Sequence, residues 1–148
     1  MTPSPRLAVR AVIVVDGRLL LVNAWPGRKS DLWCAPGGGV VPGTSLPDNL
    51  QREVHEETGL SVRVDALCLV NEFHDPASGF HQVELFFRCQ SATTEIPEGW
   101  EDPEKVVNRW RWVLPSETGD LNIKPDALAK IAWSAGAARY DPLECIQR

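Results

Sequence analysis

Residues 37–60 read GGGVVPGTSLPDNLQREVHEETGL, and the way this stretch folds decides the rest of the chain. Gly37 to Ser45 pack four glycines and a proline into nine residues, which predicts a loop of unusual backbone shape. A helix is expected next. Ser45 suits the N-cap, Pro47 suits the first turn, and Asp48 three residues after Ser45 resembles a capping box. Leu50 and Val54 form a narrow apolar stripe at i,i+4, and Gly59 is a natural stop. This helix carries Glu53, Glu56 and Glu57 in its last two turns, on one side. That is the wrong end for negative charge, because the macrodipole already presents partial negative charge there. Glu53 and Glu57 are also an i,i+4 like-charge pair, unfavourable by roughly 0.2–0.5 kcal/mol. A divalent cation held among three hard oxygen ligands turns that repulsion into attraction. Mg²⁺ fits, since it takes a few carboxylates, keeps waters and bridges to phosphate oxygens. The bland alternative is a solvated acidic face with one Arg52–Glu56 salt bridge.

Upstream, RLAVRAVIVVDGRLLLVNAW (residues 6–25) is two β-rich runs joined by Asp16-Gly17, a strong hairpin signal. A polar loop, PGRKSD, and a short apolar piece, LWCAP, lead to the glycines. Downstream, SVRVDALCLVNEF predicts a long strand and HDPASG a turn. FHQVELFFRCQ alternates, with Val83, Leu85, Phe87 and Cys89 opposite Gln82, Glu84 and Arg88. An acidic loop, SATTEIPEGWEDPEK, precedes a strand over VVNRWRWVL. A second helix is expected over KPDALAKIAWSAG, with Pro125 near its start and Gly136 near its end. Strands outnumber helices without strict alternation, so the predicted class is α/β: a mixed sheet covered by helices on its two faces.

The chain of 148 residues suits one domain, 1–148, and its 43% hydrophobic and 24% charged content is that of an ordinary globular protein. The net charge of −5 argues against a general polyanion binder, so no stable nucleic-acid complex is expected. No apolar run approaches the ~20 residues of a membrane span, and MTPSPRLAVR lacks signal-peptide architecture. Cys34, Cys68, Cys89 and Cys145 are scattered without a CxxC pair, as expected of reduced thiols in a cytoplasmic protein.

The same stretch resembles the Nudix box, Gly-x5-Glu-x7-Arg-Glu-U-x-Glu-Glu-x-Gly-U, where U is a bulky aliphatic residue. With Gly38 on the first glycine, Arg52, Glu53, Val54, Glu56, Glu57, Gly59 and Leu60 fall in register over residues 38–60. One position departs, because Thr44 stands where the pattern has its first glutamate. LWCAPGG looks like the family's Trp-x-x-Pro-Gly-Gly lead-in, and RWRWVLPSE resembles its late Trp-containing strand.

The resemblance implies an α/β/α sandwich that hydrolyses a nucleoside diphosphate linked to another moiety. It implies Mg²⁺ or Mn²⁺ bound by Glu53, Glu56 and Glu57 with the backbone carbonyl of Gly38 or Gly37, and Arg52 orienting Glu53. The general base is Glu53 in one pattern and a distant loop acid in the other. Glu98, Glu101 and Glu104 are the loop candidates, with Glu84 an outsider and Glu104 favoured by its distance from Trp112. The candidate catalytic set is therefore Arg52, Glu53, Glu57 and Glu104. Thr44 predicts a somewhat weaker metal site.

For the substrate, Phe73, His74, Phe80 and His81 flank a turn and could border a base pocket, and Arg28 and Lys29 could meet phosphates. Six tryptophans are available for stacking, although core packing is the commoner use of any one. Pro76 and the early box resemble small hydrolases of ADP-ribose and of nucleoside triphosphates, which become the leading substrates. A homodimer is compatible with the family. The rival from another class is a nucleotide-binding or regulatory domain without catalysis.

Overall fold

Asp16 and Gly17 both take positive φ, 51° and 75°, the conformation a type I′ turn demands. They join β1 (Arg6–Val15) to β2 (Arg18–Asn23) with Val15 opposite Arg18. The computed structural model describes residues 4–147. Met1–Pro3, the start of the stretch read for a leader, and Arg148 lie outside the described residues. The remaining strands are β3 (Leu32–Cys34), β4 (Gly37–Gly39), β5 (Val62–Asp75), β6 (Phe80–Ser91), β7 (Trp110–Val113), β8 (Asn122–Ile123), β9 (Arg139–Tyr140) and β10 (Glu144–Cys145). The helices are α1 (Leu46–Thr58) and α2 (Asp126–Ile131), with a 3₁₀ turn over Pro115–Asp120.

The strands form one mixed sheet in the order β10-β5-β6-β1-β2-β3-β8. β4 lies beside β1, β7 beside β2 and β9 beside β5. β1 is the hub. It runs parallel to β6 from Arg6 to Ile13 and antiparallel to β4 at Ala8–Arg10.

Alternation along β1 separates two cores. Val9, Ala11 and Ile13 pack with Leu50 and Val54 of α1, while Val12 joins Phe86, Leu69 and α2 residues Leu128 and Ile131 on the other face. The result is the expected helix–sheet–helix sandwich. No helix among the described residues is long and apolar enough to cross a membrane.

Three sequence expectations change, and a fourth feature, the buried face of β6, is decided by the fold. Gly37–Gly39, expected as loop, is a strand, because three residues without side chains let the backbone press against β1. A Cβ on Gly37 would lie 1.9 Å from the Val9 carbonyl oxygen. The second helix is only Asp126–Ile131; the chain then turns, with Ser134 N donating to Ile131 O and the Trp133 indole to Gly17 O. The tryptophan strand is confined to Trp110–Val113, since residues 106–109 are held by side chains: Asp102 accepts from Val106 and Val107, Asn23 from Asn108 and Arg109. Finally, the polar face of β6 is the more buried one. Gln82 and Glu84 are buried and Val83 and Leu85 only half so.

The burial of that polar face has a structural cause. Arg6 and Arg10 of β1, Gln82 and Glu84 of β6, and Asn71 and Phe73 of β5 lie on the α2 side of adjacent strands. The six-residue α2 covers Val12, Phe86 and Leu69 but leaves this polar half of the face as the floor of a cavity.

Candidate active site

Helix α1 is built from both ends as its sequence predicts. Ser45 is extended at the N-cap and its Oγ accepts from Asp48 N at 3.2 Å. Buried Asn49 accepts from Val41 N and donates to Gly39 O, tying the glycine segment to the first turn. At the far end Gly59 is left-handed, φ 76°, and donates to His55 O. Three side chains dress the neighbouring carbonyls. Thr58 Oγ1 bonds Val54 O, the Trp100 indole bonds Glu56 O at 2.9 Å, and the Trp110 indole bonds Glu57 O at 2.7 Å. These donors offset the negative pole that made the glutamates costly.

Glu53 and Glu57 face inward, 6% and 7% exposed. Arg52 reaches both oxygens of Glu56 through Nη1 and Oε1 of Glu53 through Nη2, all at 3.1–3.2 Å. Glu57 Oε1 accepts from Gly37 N at 3.1 Å. Glu104 approaches from the loop before β7, fixed by Asp102, which accepts from the backbone N–H groups of Glu104, Val106 and Val107. One oxygen each of Glu53, Glu56 and Glu104 lie within 4.8 Å of one another.

Burial drives the electrostatics. It pushes the Glu57 carboxyl up to about 8, against the opposing pull of Arg10 and the Gly37 N–H. Burial also raises Glu53, with Arg52 opposing and Glu104 and Glu56 adding to the shift. Neither arginine outweighs the burial of its carboxylate, so the donor set fits a hard divalent cation. Local shape agrees: a Cβ on Gly38 would lie 2.6 Å from the Glu53 carboxylate, so only glycine leaves that space free.

The carboxylates line a cavity of about 400 Å³. A second cavity of about 360 Å³ adjoins it, lined by Trp25, Asn71, Phe73, Phe80, Gln82 and Glu84 among others. Arg6 and Arg10 line both. Arg10 Nε donates to Glu84 Oε2 at 2.6 Å and Arg6 donates to Gln82. Burial disfavours the Arg10 charge, yet Glu84, Cys34 and Glu57 together hold its pKa above the ordinary value.

The sequence candidates therefore divide. Arg52, Glu53, Glu57, Glu104 and Gly38 line the first cavity, and Glu56 joins the converging oxygens. Phe73 and Phe80 line the second. Arg28, Lys29, His74, Glu98 and Glu101 line neither: Arg28 is exposed on its loop, and His74 turns toward His81 and Cys145. Glu84 lies in the second cavity, held by Arg10. Trp100, Trp110, Trp112 and Trp133 line neither cavity and bond backbone carbonyls through their indoles, while Trp25 lines the second. Arg6, Arg10, Asn71 and Gln82 line the cavities without being sequence candidates. Two arginines inside the apolar run RLAVRAVIVV are the sequence trace of the first pair, and Asn71 and Gln82 leave none.

A family model of the NUDIX domain matches residues 4–134, and the chain belongs to that family. A Bacillus subtilis (strain 168) protein named as a candidate ADP-ribose pyrophosphatase, YjhB, is 29% identical over 102 residues, covering 67% of this chain and 48% of the relative. Diphosphoinositol polyphosphate phosphohydrolase 2 of Rattus norvegicus is 31% identical over 97 residues, covering 66% and 50%. The chain thus spans about half the length of these curated relatives. Among solved structures, a NUDIX hydrolase from Nitrosomonas europaea superposes with a TM-score of 0.71 at 25% identity, covering 86% of this chain and 85% of the other.

Proposed function

We propose that this chain hydrolyses a nucleoside diphosphate linked to a second moiety, with ADP-ribose and nucleoside triphosphates as the leading substrates. The observation that carries the reading is the convergence of Glu53, Glu56 and Glu104 beside a cavity that shares Arg6 and Arg10 with an aromatic one. Glu53, Glu56 and Glu57, with a backbone carbonyl of Gly37 or Gly38, would hold Mg²⁺ or Mn²⁺. When bound, such an ion neutralises phosphate charge and acidifies water.

The remaining work falls to the chain itself. Arg52 fixes the Glu53 and Glu56 carboxylates through its paired bonds. Arg6 and Arg10 lie where a diphosphate would pass between the cavities, and their charge attracts it. Glu104, entering from the opposite loop, takes the proton of the attacking water as that water's oxygen bonds to phosphorus and a phosphoanhydride P–O bond breaks. Thr44 does not disable the helix start, because the capping oxygen comes from Ser45.

The test is phosphate or nucleotide release from a panel of nucleoside diphosphate derivatives, with and without Mg²⁺. Turnover is expected only with the ion. Glu57→Gln should lower kcat/KM at least ~100-fold, and Glu104→Gln should lower kcat similarly. Nucleotide binding without turnover of any substrate would favour the non-catalytic reading.

A further inference from the structure

The second cavity holds a buried acceptor that none of the described residues satisfies. Asn71 is 3% exposed and lines the cavity, and its Oδ1 has no hydrogen-bond partner among the described residues. The amide orientation is set by its neighbour: Nδ2 faces Glu84 Oε1 at 3.5 Å, and an amide oxygen would be repelled there. An acceptor left unpaired in the interior has lost its water and gained nothing in exchange. A ligand that donates to it recovers that loss.

The surrounding groups define the donor. Glu84 Oε2 is occupied by Arg10 Nε and Gln82 Nε2. Glu84 Oε1 has only the long contact to Asn71, so it retains acceptor capacity beside Asn71 Oδ1. Two adjacent acceptors suit a group with two hydrogens, an amino group, better than a lone ring N–H. The rings of Phe73 and Phe80, with centroids 6.1 Å apart, and the Trp25 side chain supply aromatic wall. Trp25 is steadied by its indole bond to Gln147 O. Aromatic walls around a polar floor, in a volume of about 360 Å³, fit a flat heterocycle. Arg6 and Arg10 on the shared wall then leave the phosphates toward the carboxylates.

We infer that Asn71 is a specificity-determining residue that receives, through Oδ1, a hydrogen bond from the exocyclic amino group of a nucleobase, so that amino-bearing bases are selected over their keto counterparts. The inference rests on the reading of the adjoining cavity as the diphosphate site, but it concerns recognition and is tested by binding alone. Calorimetry with CDP against UDP, and with ADP against IDP, compares each amino-bearing base with its keto counterpart. The wild-type protein should bind the amino member of at least one pair ~10-fold more tightly, the size of one hydrogen bond. Asn71→Leu should bring that ratio close to one while the Mg²⁺ isotherm is unchanged. The wild-type comparison needs no variant, so a poorly folding substitution does not shield the inference. Equal binding of the paired nucleotides by the wild type, a preference that survives in Asn71→Leu, or no nucleoside diphosphate binding at all would each overturn it. Equal binding accompanied by turnover sinks this inference alone. A clear amino preference without turnover leaves it standing and sinks the catalytic reading.

Discussion

A single β-carbon on Gly38 would close the space beside the Glu53 carboxylate. It would sit 2.6 Å from the carboxyl carbon and one oxygen of Glu53, inside van der Waals contact, and Glu53 has Arg52 on its other side. Gly38→Ala therefore moves Glu53 rather than being absorbed. The expected outcome is a folded protein whose Mg²⁺ affinity falls ~10–100-fold, the usual cost of misplacing a ligand's support, read by calorimetry beside an unchanged circular dichroism spectrum. Unaltered ion binding would show that Glu53 is no ligand. The residue pattern made Gly38, Arg52 and the helix glutamates legible, because each sits in a spaced motif and helical periodicity fixes their common side. Asn71 and Arg10 were illegible for the opposite reason. Their importance comes from neighbours on other strands, Glu84 above all, and strand register was unknown before the fold.

At the scale of elements, α1 was readable from its caps, and the Asp16-Gly17 hairpin from its turn chemistry. β6 was not: alternation identified the strand but could not say which face is buried, and here the short α2 leaves a polar face enclosed. The loop ahead of β7 was opaque too, since buried Asn23 and Asp102 replace strand pairing there. What the sequence posed as a conflict, acids at a helix's negative pole, is answered by tryptophans from that same distant region. Trp110 donates to Glu57 O at 2.7 Å. Trp110→Phe keeps most of the ring and deletes the donor, leaving a carbonyl at a crowded anionic helix end. Stability should fall by about 1–3 kcal/mol, measured by urea denaturation. A loss within error would mean water satisfies that carbonyl equally well.

Over the whole molecule, these local terms combine into a dependence of stability on pH and on the ion. The Glu57 carboxyl is surrounded by Glu53 on its own helix, Arg10 from β1, the Gly37 N–H from β4 and Asp102 from the loop before β7, and burial lifts it from 4.5 to about 8. Glu53 shifts in the same direction. A group whose folded pKa lies above its unfolded one holds a proton in the native state that the unfolded chain has released. Between roughly pH 4.5 and pH 8 the metal-free native protein binds more protons, so its stability falls as pH rises through that window and levels off above it. Divalent ion binding has the opposite slope, because it requires ionised carboxylates. Chelator-treated protein should therefore melt at a lower temperature at pH 8 than at pH 5.5. Mg²⁺ at ~100 times its pH 8 dissociation constant adds about 2.7 kcal/mol there, a rise of roughly 5–10 °C for a domain of this size, and the same concentration should give a smaller rise at pH 5.5. Glu57→Gln removes one of these two raised carboxyls. It should flatten the metal-free profile and shrink the response to the ion together. A variant that kept the steep profile, or a wild type whose melting point ignored Mg²⁺ at both pH values, would detach the crowded carboxylates from metal binding, and with them the hydrolytic reading.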